Sequence, residues 1–227
     1  DADNAGVETL TLTADTGDIN FGGLVGGAAG VNRLGDVLVN SVATMGAGEF
    51  YAASFTQTAG SVATTFTGAL DTTGAVTITD GTDVTFGSTV NAATVSQGTG
   101  SGTTTFNGAV TTSGGGGVNV SNGIIALNAS IDATNGTVDL VANTFLNIAA
   151  AGDITADGDV NLTGVAGITT AGDVTTSADA VNYNSATVLT GNVAVDTGAG
   201  AGTITFANTL DADNAGVETL TLTADTG

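Results

Sequence analysis

The sequence predicts an all-β protein folded as a parallel β-solenoid, with about 20–21 residues and three short strands per coil. Two kinds of repetition predict this fold class. The first 17 residues, DADNAGVETLTLTADTG, recur letter for letter as residues 211–227, so the chain holds one tandem unit, residues 1–210, and the start of the next. Within the unit, apolar residues recur about every 20 residues, as successive coils of a solenoid require. We therefore expect one continuous segment over residues 1–227.

The composition favours thin, regular layers of strand. Hydrophobic residues make up 41% of the chain, but aromatic residues only 4%, and there are 36 glycines and no proline. The abundant Val, Ile and Thr are good strand formers. Because proline would remove a backbone N–H, its absence leaves the backbone free to form continuous ladders.

A row of inward-facing side chains follows the shorter period. Residues 64–74 and 104–114 match at seven of eleven positions, and the coil between them repeats the same Thr-Phe step. The predicted core ladder consists of Phe66, Phe86, Phe106, Leu127, Ile148, Ile168 and Val188. A single coil is too thin to bury these side chains, so coils must stack at about 4.8 Å to close a core.

Two further rows give each coil its second and third strands. The second row is Leu70, Val90, Val110, Ile131, Ile154, Val174 and Val193. The third consists of apolar–polar–apolar triplets at residues 118–120, 138–140, 160–162, 181–183 and 204–206. Such alternation is typical of a half-buried strand. About ten coils per unit would give an axial length of roughly 50 Å.

Two stretches depart from the rows. Residues 22–36 combine dense glycine with Arg33, the single basic residue, and are expected to form a loose loop or a bulged coil. Residues 45–55 concentrate Met45, Phe50, Tyr51 and Phe55 in a chain otherwise poor in aromatic residues. These four side chains either fill a local widening of the core or form a contact patch for a neighbour or ligand.

The charge balance excludes several classes of partner. One basic residue stands against 22 acidic ones, for a net charge of −21. Nucleic acid and anionic lipid are therefore not expected to bind. No apolar run approaches the roughly 20 residues of a membrane helix, so this segment is not expected to insert into a membrane. Without cysteine, neither a disulfide nor a thiolate metal site is available.

Calcium is the cation that the acidic residues would suit, because carboxylate oxygens are its preferred ligands. The candidate ligands are Asp1, Asp3, Glu8, Asp153, Asp173, Asp211, Asp213 and Glu218. The alternative is a solvated acidic surface, since neither the helix-loop-helix nor the nonapeptide calcium pattern is present. Stacked carboxylates about 4.8 Å apart repel by about 1 kcal/mol in water. We therefore expect stability to rise with calcium or salt, with no cofactor required.

The chain is not expected to be an enzyme. It contains no His and no Lys, so carboxylates would be its only general bases near neutral pH, and Arg33 its only cationic stabiliser. Asp157 and Asp159 resemble a glycosidase pair in residue type alone, because they are neighbours on one exposed corner.

Several motifs carry a family resemblance: GTITFANTL (202–210), LTLTADTGDINF (10–21), RLGDVLVNS (33–41) and TTTFNGAVTTSGGG (103–116). They resemble the strand repeats of giant bacterial surface proteins of the filamentous-haemagglutinin and autotransporter-adhesin type. The resemblance implies a right-handed β-helix, a location outside the cell or on its surface, and a non-catalytic role as scaffold, stalk or adhesive filament. Expected partners are adjacent units or like chains end to end, and laterally associated copies. The alternative is a module that binds glycans or a host surface through residues 45–55 or an exposed solenoid face.

Overall fold

The computed structural model describes residue 4 and residues 6–27, 31–214 and 216–225, and in them the chain is a parallel β-solenoid of about nine turns. In chain order the strands are β1 (Leu10–Thr13), β2 (Ile19–Phe21), β3 (Leu34–Ala47), β4 (Phe50–Gln57), β5 (Gly60–Phe66), β6 (Leu70–Thr72), β7 (Ala75–Ile78), β8 (Asp83–Phe86), β9 (Val90–Ala92), β10 (Thr94–Gln97), β11 (Thr103–Phe106), β12 (Val110–Thr112), β13 (Val118–Asn122), β14 (Ile124–Leu127), β15 (Ile131–Ala133), β16 (Val138–Ala142), β17 (Phe145–Ile148), β18 (Ile154–Ala156), β19 (Val160–Gly164), β20 (Gly167–Thr170), β21 (Val174–Thr176), β22 (Val181–Tyr183), β23 (Thr187–Leu189), β24 (Val193–Asp196), β25 (Ile204–Phe206), β26 (Leu210–Ala212) and β27 (Leu220–Thr223). The predicted all-β solenoid with three strands per coil is confirmed.

The strands lie on three faces, which the chain visits in the order 1, 2, 3. Face 1 holds residues 50–52 of β4 and then β6, β9, β12, β15, β18, β21, β24 and β27. Face 2 holds β1, residues 34–39 of β3, residues 54–57 of β4, and β7, β10, β13, β16, β19, β22 and β25. Face 3 holds β2, residues 42–47 of β3, and β5, β8, β11, β14, β17, β20, β23 and β26.

Stacking in register places like residues directly above one another. On face 3, Phe66, Phe86 and Phe106 pair in sequence, with ring centres 6.0 and 5.1 Å apart and rings nearly parallel. Leu127 and Ile148 continue this row, and all five side chains are buried. The triplets of the third predicted row pair residue by residue on face 2.

The ends of two predicted rows are wrong, because coil length varies. The partner of Ile148 is Thr170 rather than Ile168, which is buried in the neighbouring inward row beside Leu146. Val188 pairs with Thr169 and points outwards. On face 1, Val174 pairs with Val195 and not with Val193. From one coil to the next, residue numbers advance by as few as 18, from Val37 to Phe55, and by as many as 27, from Leu10 to Val37.

The two stretches predicted to be irregular differ from each other in the structure. Residues 22–27 and 31–33 lie outside the strands, with a single bridge from Val25 to Phe50, but β3 already begins at Leu34. Residues 45–55 are not irregular: apart from residues 48 and 49 they belong to β3 and β4, the two longest strands. Each of these strands turns the corner between two faces.

Candidate functional site

The acidic corners Asp153 and Asp173 are stacked as predicted, but their carboxylates bond to the protein backbone. Oδ1 of Asp153 accepts the N–H of Asp173 at 2.9 Å, and Oδ1 of Asp173 accepts the N–H of Ala194 at 2.7 Å. Each bond links one coil to the next. The corner carboxylates therefore continue the backbone ladder where the chain turns between faces and no strand supplies an acceptor.

The same bond recurs at other corners. Asp83 accepts the N–H of Thr103 at 2.8 Å, and Asp159 accepts that of Ala180 at 2.8 Å. Asp157, the other member of the pair tested as a glycosidase dyad, accepts the hydroxyl of Ser177. A carboxylate that accepts a hydrogen bond from the adjacent coil is oriented along the solenoid axis, which suits a structural role.

The repeated acidic segment lies at both ends of the solenoid. Asp1 and Asp3 lie outside the described residues. In the first copy Oε1 of Glu8 accepts the N–H of Asn4 at 3.2 Å. In the second copy Asp211 caps the N–H of Ala212 at 2.9 Å, so it does not join the remaining acids of that segment.

Asp213 and Glu218 of the second copy form a hydrogen-bonded pair. The hydrogen bond with Glu218 raises the pKa of Asp213, and loss of hydration and the Glu218 charge act in the same direction. The pKa of Glu218 is lowered: loss of hydration opposes this, but hydrogen bonds from its own backbone, from Asp213 and from Asn214 outweigh it. The pair therefore holds one shared proton more readily than two separate carboxylates would.

The predicted acidic ligands are not brought together into a metal centre. In the described part of the chain no three acidic side chains converge as ligands of one ion. A shallow depression of about 190 Å³ lies between the corners of Asp132 and Asp157. It is smaller than the roughly 300–1,000 Å³ of typical small-molecule sites. Calcium binding at a defined site thus has no geometric support from these residues.

The predicted contact patch is largely core. Met45, Phe50 and Phe55 are completely buried, and only Tyr51 points outwards. The rings of Phe50, Phe55 and Phe66 meet edge to face at 5.2–5.7 Å. This cluster fills the coil, the first of the two interpretations given above. A surface-binding role would have to use an outer face instead.

Arg33 is the most connected polar side chain at the amino-terminal end, a role that the sequence did not reveal. Its Nη2 lies 3.0 Å from Oδ1 of Asp71, and its Nη1 donates to the carbonyl oxygens of Ala52, at 3.0 Å, and Asp71. The guanidinium also lies over the Tyr51 ring, 5.8 Å from its centre. The residue fastens the glycine-rich loop across two coils. The signal available in the sequence was spacing, since Asp71 follows Arg33 by nearly two coil lengths.

Both ends of the solenoid present strand edges. At one end β1 pairs only with β3, and at the other β27 pairs only with β24, among the residues the structure describes. Parallel strands with one open edge are templates for a further strand. These two edges, rather than a pocket or an ion cluster, are the surfaces most suited to a specific partner.

The geometry defines a class of protein: a continuous parallel β-solenoid with acidic corners and two open ends. Comparisons with protein-family models, with curated proteins and with solved structures give no match to this chain. The described residues contain no helix long and apolar enough to cross a membrane.

Proposed function

We propose that the chain is a structural segment of a long repeat fibre, located outside a bacterial cell or on its surface, and that it acts as a scaffold, stalk or adhesive filament without catalytic activity. One observation carries this proposal: the same 17-residue segment occurs at both ends of a single uninterrupted core. Units of this kind extend a rod by adding coils, without a linker or an interface between globular domains.

The buried rows support a mechanical role. Inward side chains form one continuous cluster from Val25 to Val195, with partly buried residues at each end packed against it. Every internal strand bonds to the coils before and after it. Tension along the axis would therefore have to break whole ladders of hydrogen bonds together.

Electron microscopy of a chain containing several successive units tests the fibre. We expect uniform rods whose length grows by roughly 45–50 Å per added unit, given about 4.8 Å per coil. The 227-residue chain serves as the control, with a particle of about one unit. Beads separated by flexible gaps, or compact clusters, would overturn the proposal.

Location is tested separately with antibodies against the chain. We expect them to label intact cells of the source organism as strongly as permeabilised cells. Labelling that requires permeabilisation would contradict a surface position and leave the rod itself unaffected.

A further inference from the structure

The repeated segment adopts the same local conformation at both ends. The N–H of Val7 donates to the carbonyl of Asn4 at 3.3 Å, and the N–H of Val217 donates to that of Asn214 at 3.2 Å. Gly6 and Gly216 both have φ of +78°, a left-handed conformation that glycine adopts without strain. A four-residue strand follows in each copy, β1 in the first and β27 in the second. The local sequence therefore determines this conformation, whatever coil lies next to it.

The neighbours of the two copies differ. Strand β1 lies on face 2 and pairs with the following coil, with Leu10 opposite Val37. Strand β27 lies on face 1 and pairs with the preceding coil, with Leu220 opposite Val193. The same four residues thus present opposite edges to the solenoid at its two ends.

The two copies also use complementary backbone groups. Beside β1, the carbonyl of Glu8 accepts the N–H of Gly35, and the N–H of Ala14 donates to Ser41. Beside β27, the carbonyls of Thr219 and Thr223 accept from the N–H groups of Val193 and Thr197; in the first copy these two positions are Thr9 and Thr13. Even-numbered positions of the first copy bond to one neighbour, and odd-numbered positions bond to the other. In a parallel ladder alternate residues point to opposite sides, so one strand can make both sets at once.

We propose that, in the fibre, one copy of this segment joins two units by pairing with β24 of the preceding unit on one edge and with β3 of the following unit on the other. This inference rests on the proposed function, because it requires a second unit. The partner of each open end is therefore the opposite end of another copy of this chain. Leu222, 49% exposed at the open end, becomes covered when the next coil is added, as the corresponding Leu12 is half-buried.

The junction also fixes the rotation between units. From β1 to β26 the chain occupies 29 strand positions, since β3 and β4 each cover two faces and Val25 occupies one position by its bridge. With three positions per turn, a unit makes nine full turns and two further faces. Each unit therefore begins one face away from its predecessor, a rotation of about 120°. Its axial advance is about 46 Å at 4.8 Å per turn, and three units restore the original orientation.

Introduced cysteine pairs test this junction in the 227-residue chain, which has no cysteine of its own. Thr221 points outwards opposite Ala194 on face 1. If each unit instead contained a whole number of turns, Thr221 would lie on face 2 beside Thr205. Aligned residues on adjacent strands, about 4.8 Å apart, lie within disulfide range. We expect the variant with Ala194→Cys and Thr221→Cys to cross-link under mild oxidation, and the matched variant with Thr205→Cys and Thr221→Cys to remain reduced.

A chain of two successive units tests both edges of the segment at once. In one variant, Ala194→Cys of the first unit is combined with Thr11→Cys of the second; in another, Thr11→Cys and Leu38→Cys are both in the second. Cross-linking in both variants supports the shared strand. Cross-linking of the Thr205 pair, or failure of either two-unit variant, overturns it. The rod seen by microscopy is unaffected by these outcomes, so failure of the junction is distinguishable from failure of the fibre.

Discussion

Phe86 illustrates how a single residue serves two coils. Its ring lies between those of Phe66 and Phe106, at 6.0 and 5.1 Å, and its side chain is buried. A side chain in such a position contributes its own burial and two stacking contacts, so its loss affects the coils on both sides.

Replacing Phe86 by Ala is expected to lower the free energy of unfolding by about 3–5 kcal/mol, because a large cavity opens inside a close-packed row. The adjacent Thr85 points outwards, so Thr85→Ala is the matched control and should cost less than about 1 kcal/mol. Denaturant titration followed by circular dichroism measures both values. Equal losses in the two variants would contradict the stacked core.

Tyr183 carries a polar atom into the core without a partner. Its ring stacks on Phe206 at 4.6 Å, and among the described residues no group bonds to its buried hydroxyl. Burial raises the pKa of Tyr183 well above its ordinary value of 10.0, and the negative charge of Asp173 adds to this. The folded protein therefore resists ionisation of this phenol more than the unfolded chain does.

The expected consequence is a loss of stability at alkaline pH. A raised pKa in the folded state means that the contribution of Tyr183 is fully present below about pH 10 and decreases as pH rises above that value. Tyr183→Phe should flatten this alkaline decrease and leave stability at pH 7 unchanged or higher by up to about 3 kcal/mol. The control is Tyr51→Phe, at an outward position. An alkaline decrease of the same size in Tyr183→Phe and in the parent chain would refute the assignment.

At the scale of elements, the corners depend on carboxylates that replace missing strand partners. The Asp173 carboxylate accepts the N–H of Ala194, and the N–H of Asp173 itself donates to Asp153. This chain of bonds connects three successive coils at one corner.

Asp173→Ala removes one of these acceptors and is expected to lower the free energy of unfolding by about 1 kcal/mol. Asp173→Asn keeps an oxygen acceptor while removing the charge, and should retain most of the stability of the parent. Thermal melting of the two variants, with hydrogen exchange at the Ala194 amide, distinguishes them. A destabilisation shared equally by both variants would point to the charge instead of the hydrogen bond.

The strands and their stacking were predictable wherever coil length stayed constant. Phe66, Phe86 and Phe106 follow one another at 20 residues, so simple counting found their row. The longer coil after Ile148 defeated it: counting 20 residues reached Ile168, two residues before the true partner Thr170. Because side chains alternate with a period of two, that error still gave an inward residue, whereas the next step gave the outward Val188.

The side-chain partners of the candidate residues were harder to predict than their rows. In residues 50–52, Phe-Tyr-Ala, all three side chains are apolar or aromatic, so alternation does not reveal which of them point inwards. Likewise, spacing placed Asp153 below Asp173 but gave no sign that each carboxylate would bond to a backbone N–H. Such bonds depend on corner geometry, which the period of the sequence does not specify.

At the scale of the whole molecule, electrostatic repulsion opposes the compact stack. A net charge of −21 is distributed over a rod in which the single basic residue is already paired with Asp71. Because salt screens exposed charges over about 10 Å at 0.1 M, added ions should relieve this repulsion along the entire length.

We expect the melting temperature to rise with sodium chloride and with calcium chloride. We propose that calcium acts here by screening, or by diffuse contact with acidic corners, so at equal ionic strength the two salts should give similar increases. Differential scanning calorimetry with and without a chelator measures the effect. Melting that is unaffected by either salt would exclude this account, and an increase specific to micromolar calcium would require a defined site.

The shared junction segment has a consequence for how such a fibre changes over generations. Identical stretches of coding sequence are substrates for recombination, which removes or inserts whole units. If every unit starts one face round from the last, losing a single copy shortens the fibre by about 46 Å and also swings everything distal to it through about 120°. Only changes by three copies would alter reach without altering the direction in which the distal part faces.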